Sequence, residues 1–198
     1  TKNNNADVPN VGDNGTTGTD SKGLTYENLF DPKSKIDIEL KFKNDVIYKF
    51  AKYGTSGDFN KEEIYHPCDV TIKLNNETYI FSEVGARMKG NTSRYDGFID
   101  EQGNFVNKER LCHFKLAFDR IFNSSSVNDY YSHEYTTEEV DARDSRRIAS
   151  MKKIDLKWNK NFDSSFTKEI YALDCFKNEG VVSQNANLVN VTIKTEKD

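Results

Sequence analysis

The 198-residue chain is short of several features that mark a function class. No stretch approaches the roughly 18 consecutive apolar residues that a membrane-spanning helix needs. The N-terminus also lacks the basic stretch and apolar core of a secretory signal. Lysine and arginine total 28 against 32 aspartates and glutamates, a formal net charge of -4. A sequence-independent nucleic-acid binder needs the opposite balance to neutralise phosphates, so nucleic acid is not an expected partner. The three cysteines, Cys68, Cys112 and Cys175, show no CxxC spacing and allow at most one disulfide. Buried free thiols are the simpler expectation. His66, His113 and His133 are dispersed without ligand spacing, so no metal site built from this chain alone is expected.

What is present is apolar and aromatic material for one core: 35% hydrophobic residues, with 13 Phe and 10 Tyr. Residues 1–22 stand apart, being rich in Asn, Gly, Thr and Asp with almost no large apolar side chain. Such a segment cannot bury enough surface to offset its ordering entropy, so it reads as a flexible polar linker, of the kind that tethers a domain to an anchor or another module. Residues 23–198 then form one domain.

Within that domain the hydrophobic period is mostly two. "KIDIELKFK" puts Ile36, Ile38, Leu40 and Phe42 on one face, and "ND" followed by "VIYKFAKY" predicts a first β-hairpin. "CDVTIKL" and "ETYIFSEV" predict a second, turning at Asn75 and Asn76, residues that tolerate the positive φ of a tight turn. The second arm runs on into "VGARMKG", with Val84, Ala86 and Met88 on one face and Gly85, Arg87 and Lys89 on the other. "LCHFKLAF" is a further strand, its apolar face Cys112, Phe114, Leu116 and Phe118, with Lys115 mid-strand on the opposite face. Thr136 and Glu139 have capping-box spacing and predict a surface helix. "KIDLKW" and "LVNVTIK" are short strands by alternation. "DSSFTKEIYALDCFKNEG" predicts the main helix, with Asp163 or Ser164 as N-cap, Gly180 just past the end, and a buried stripe of Phe166, Ile170, Leu173 and Phe176. The fold class expected is therefore α+β, an antiparallel sheet with one main packed helix.

Two charged residues sit where desolvation is costly: Lys115 in the middle of a strand and Glu169 at the edge of the helical stripe. An ion pair between them would offset that cost, and in kinase-type phosphoryl transfer such a pair fixes the lysine against nucleotide phosphates. Periodicity alone favours the plainer reading, in which Lys115 snorkels to water and Glu169 belongs to a solvated flank.

The stretch "GARMKGNTS" adds weight to the pair. It resembles the G-x-R-x-K-G-N-[ST]-S signature of the spore coat protein H (CotH) family, kinase-like proteins of spore coats and microbial surfaces. "HFKLAFDR" is similar to that family's basic strand, and "IDLKWNKNFDSSFTKEIYALDCFKNEGV" to its strand, aromatic-Asp-Ser, Glu-bearing helix and Gly. The resemblance covers residues 65 to 198. It implies the N-terminal lobe of an atypical protein kinase, binding ATP with Mg or Mn. Carried over by motif position, Arg87 and Lys89 would approach phosphates, Gly90, Asn91 and Ser93 would offer a close-approaching backbone, and Lys115 and Glu169 would form the strand-to-helix pair. A planar Arg fork and a Lys point charge on one strand face suit phosphate oxygens.

Family members continue into a second lobe that holds the catalytic and metal-binding aspartates, whereas these residues stop at Asp198. Asp155, Asp163 and Asp174 lie in N-lobe segments and are not candidates for those roles, so no catalytic residue is identifiable, and a second polypeptide or a longer chain would have to complete the enzyme. The expected function is part of an extracytoplasmic kinase, at a cell surface or spore coat, acting on Ser/Thr of coat or surface proteins. The competing reading is a catalytically incomplete surface-binding or adhesin module, drawn from the polar linker and the tyrosine-rich "DYYSHEYTT".

Overall fold

A computed structural model describes residues 23–46, 65–89, 113–122, 133–157 and 165–196. The expected linker at 1–22, the motif residues Gly90, Asn91 and Ser93, and Cys112, Asp163 and Ser164 lie outside the described residues. The elements in chain order are α1 (Tyr26–Phe30), β1 (Ile36–Lys41), β2 (His66–Leu74), β3 (Glu77–Lys89), β4 (His113–Ala117), α2 (Thr137–Ser145), β5 (Lys153–Leu156), α3 (Lys168–Asn178) and β6 (Asn190–Lys194). The class is α+β: a six-stranded sheet in the order β5-β4-β3-β2-β1-β6, with short helices at its margins.

Alternation builds the core. Ile36, Ile38 and Leu40 of β1, Cys68, Val70, Ile72 and Leu74 of β2, Val84, Ala86 and Met88 of β3, and Phe114 and Leu116 of β4 are all buried on one face. Leu24, Leu29, Phe42, Val46 and Ile148 close over them. The hairpin at Asn75 forms as expected, with φ 56° at Asn75.

The second arm of the first expected hairpin lies mostly outside the described residues, at 47–53, but β1 offers it no edge to pair with. β1 pairs on one side with β2, antiparallel from Ile36↔Leu74, and on the other with β6, parallel from Asp37↔Asn190. Both of its edges are thus taken. Residues 44–46 are helical instead, turning Val46 into the core. The β1–β6 pairing also corrects the expectation of an antiparallel sheet: the sheet is mixed, because the chain returns from α3 through 181–189 to lay its last strand alongside its first.

The main helix is later and less buried than its pattern predicts. Phe166 takes a left-handed φ of 59°, which a helix cannot continue through, so α3 starts at Lys168 with Thr167 as its N-cap. None of its residues is fully buried, and Phe176 is 51% exposed. The 3.6-residue period supplies an apolar face, but a period does not provide something to pack against. Gly180 ends the helix at φ 76°, as expected.

β3 carries an irregularity that decides which way its charged residues face. Cys68 pairs with Val84 but Val70 pairs with Phe81, so Ser82 and Glu83 together stand opposite Asp69. This is a β-bulge. Before it, Tyr79 and Phe81 lean on the core; after it, Val84, Ala86 and Met88 do. The extra residue shifts the phase from odd to even and thereby turns Arg87 and Lys89 to the far face.

Candidate functional site

On that far face, strand register aligns the charged residues of β3, β4 and β5 in rows. Arg87 stands opposite Lys115, and Lys115 opposite Asp155. Lys89 stands opposite His113, and the register Phe114↔Leu156 brings Lys157, directly after β5, beside His113 on its other side. Glu169, in the first turn of α3, reaches Lys157 in an ion pair. Among the described residues, four cationic side chains therefore share this face with two carboxylates.

Asp155 is the inner counter-ion. Its Oδ2 pairs with Lys89 Nζ and its Oδ1 lies 3.5 Å from Lys115 Nζ, with about a third of each side chain or less exposed. The expected Lys115–Glu169 pair is thus replaced by two others, Lys115–Asp155 and Lys157–Glu169. Register explains the exchange: Asp155 is directly across from Lys115 on the adjacent strand, while Glu169 meets Lys157 first. Sequence reasoning set Asp155 aside and missed Lys157 and His113. Alternation in "HFKLAF" and "KIDLKW" does place all three on the face of Lys115, but pairing order was needed to bring those strands together.

His113 feels Lys157, Glu169 and Lys89 of this cluster. Its pKa is lowered from the ordinary 6.5, first by burial, then by Lys157, with Lys89 adding to the effect and Glu169 opposing it.

Next to the charged rows, Gly85 lies under the Arg120 side chain and the Tyr65 ring. A β-carbon on Gly85 would come within 2.8 Å of Arg120 Cβ and 3.1 Å of Tyr65 Cδ1. The guanidinium of Arg87 lies 5.6 Å, and that of Arg120 5.2 Å, from the centre of the Tyr65 ring. Glycine at 85 lets these groups settle onto the strand, with the planar Arg87 head placed by the aromatic ring.

The bulge behind this face is clamped from α2. Thr136 and Glu139 form the expected capping box at the start of that helix. Arg146 just beyond it donates to the carbonyls of Phe118, Ser82 (2.6 Å) and Glu83 (3.1 Å). Arg143 donates to the carbonyls of Glu83 and Arg120, both at 3.3 Å, and pairs with the Glu83 carboxylate. Burial and the neighbouring Arg143 push the Arg146 pKa down to about 10, which leaves it charged at neutral pH. Glu83 itself takes φ 48°, and its N–H donates to Asp69 Oδ1 at 3.0 Å.

No group of three or more His, Cys, Asp or Glu able to hold a metal occurs among the described residues. Asp155 and Glu169 are both engaged by lysines. These residues do not fit a protein-held Mg or Mn ion, but the rows of Arg and Lys fit the oxygens of a phosphate group.

No protein-family model, curated protein or solved structure matches the chain.

Proposed function

We propose that these residues are the sheet-bearing half of a kinase-like phosphotransferase of the CotH kind, and that the β3–β5 face takes the phosphates of ATP. The observation that carries this reading is the alignment of Arg87, Lys89 and Lys115 by register on a single face of a sheet whose opposite face is the core. A guanidinium and two ammonium groups held within one face offer converging charge-assisted hydrogen bonds to phosphate oxygens. Asp155 holds the two lysines in place by pairing with both. In this reading Lys115 takes its counter-ion from β5 rather than from α3. The kinase N-lobe arrangement is proposed with that difference.

A divalent ion, Mg or Mn, would enter with the nucleotide. The carboxylates that orient a Ser/Thr acceptor of a surface or coat protein, and that hold the metal, would come from a second lobe or a second polypeptide. Residues 1–22 would tether the assembly outside the cell.

Calorimetric titration of ATP with Mg²⁺ tests the site. Arg87→Ala and Lys115→Ala should each weaken binding about tenfold, the scale of one charge-assisted contact. An unchanged dissociation constant in the double variant would remove this face from nucleotide binding.

A second reading, a surface-binding module without chemistry, draws on a separate observation. Tyr171, Phe176, Val181, Val182 and Leu188 are exposed, Val182 completely. Phe176, Val181 and Val182 line one pocket, and exposed apolar groups there suit a protein or glycan contact. A cell-binding and glycan screen that stayed blank would count against this reading.

A further inference from the structure

The charged face contains one group that can change its charge near neutral pH, and it stands in the middle of the cations. His113 lies across from Lys89 on β3 and beside Lys157 at the end of β5, and it shares its strand face with Lys115 two residues on. Arg87 is diagonal to it on β3, Asp155 diagonal on β5, and Glu169 of α3 faces it through Lys157. These are the charged groups that face it from every described element around it. Among these described groups cations outnumber carboxylates, and Lys157 and Lys89 oppose a proton on the imidazole.

We infer that His113 is the proton-coupled member of this face, its imidazolium joining Lys89 and Lys157 as a third cation around a bound dianion, so that binding takes up a proton from solvent. The inference rests on the phosphate-binding reading and names its regulation. The linkage is reciprocal: whatever the dianion does to the proton affinity of His113, the proton does to the affinity for the dianion. In the unliganded protein, burial and the two lysines hold His113 below its ordinary pKa, so the imidazole is largely neutral at pH 7. A dianion seated among the lysines reverses the sign of the local field. Binding therefore strengthens as the pH falls, and nucleotide capture is favoured in mildly acidic surroundings. The only bond formed is N–H, with the proton supplied by water.

The test needs a probe whose own charge is constant, since the terminal phosphate of ATP titrates in the same range. Sulfate remains a dianion from pH 5.5 to 7.5, a window above the ordinary titration range of carboxyl groups. Imidazole NMR signals of the full chain are followed against pH with and without sodium sulfate, at ionic strength held constant with NaCl. The resonance lost in His113→Gln identifies His113. Saturating sulfate should raise the His113 midpoint by about one unit, and sulfate affinity should rise by about three- to sixfold from pH 7.5 to 5.5. His113→Gln should abolish that pH dependence. The inference is overturned if sulfate or ATP binds while the His113 midpoint stays fixed, or if His113→Gln keeps the pH dependence. If neither ligand binds at any pH in the window, the nucleotide reading itself fails, and the inference with it.

Discussion

Asp155 shows how one residue can both order a site and oppose its ligand. It satisfies Lys89 and Lys115, which would otherwise repel each other as diagonal neighbours on β3 and β4, but its charge also cancels part of the field a phosphate would meet. Asp155→Asn should therefore cost only about 1 kcal/mol of stability, since the pair is partly exposed. The same change should tighten sulfate or ATP binding several-fold at low salt, an advantage that fades as salt is added. Weaker binding in the variant would mean that Asp155 chiefly positions the lysines. His113 carries a second residue-scale prediction. Its folded pKa lies below 6.5, so the unfolded chain binds the proton more readily. Its contribution to stability is then complete above pH 6.5 and is lost as the pH falls from 6.5 through the folded value. Urea unfolding of the wild type and of His113→Gln should show the wild type losing ground to the variant between pH 7.5 and 5.5, and sulfate should reduce that loss. At this scale the sequence revealed residue types and faces but not partners. The faces of Arg87, Lys89 and Lys115 follow from alternation, whereas the choice of Asp155 over Glu169 depends on which strand lies next to β4.

At the scale of elements, the bulge at Ser82 and Glu83 connects fold to site. It is hidden in "TYIFSEVGARMK", because Ile80, Val84, Ala86 and Met88 read as unbroken even-position alternation, whereas the pairing register leaves Ile80 exposed and turns Tyr79 and Phe81 to the core. Burial that changes phase within one strand is the mark of an inserted residue. Nothing local in "ARDSRRIAS" reveals that Arg143 and Arg146 would cross to that bulge, because the contacts span roughly 60 positions of sequence. Three carbonyls depend on Arg146, and its guanidinium is largely withdrawn from water. Arg146→Ala should cost about 2 kcal/mol, because it takes this donor from the Phe118 and Ser82 carbonyls and leaves Glu83 with Arg143 alone. Arg146→Lys should recover little of that, since an ammonium lacks the planar fork that spans them. Chemical denaturation measures both. If Lys restored full stability, the clamp would be a matter of charge and not of geometry. Released from the clamp, the end of β3 should also lose its fixed facing, so ATP affinity should fall in Arg146→Ala although Arg146 is remote from the phosphates in the proposed reading.

For the molecule as a whole, the same apolar periodicity has two different outcomes. In β1 to β4 it fills a core in which Leu40, Phe42, Val70, Ile72 and Leu116 are wholly buried, and that much was readable from period-two alternation. In α3 and the segment after it, an equally clear pattern stays at the surface. Of the seven large hydrophobic residues exposed among the described residues, five fall between 171 and 188. Hydrophobic patterning says which face seeks burial, and only the rest of the fold says whether burial is supplied. The two regions should therefore respond oppositely to substitution. Leu40→Ala should cost about 3 kcal/mol through lost transfer energy and the cavity left behind. The double change Tyr171→Ser and Val182→Ser should move stability by no more than about 0.5 kcal/mol, because Tyr171 is 72% and Val182 100% exposed. It should at the same time lower the binding of a hydrophobic dye and any concentration-dependent sedimentation of the chain. If the double variant were destabilised as much as Leu40→Ala, α3 would have to be packed into the core in solution. Glu169 would then sit closer to β4, and the Lys115–Glu169 pairing expected from the sequence would become available after all.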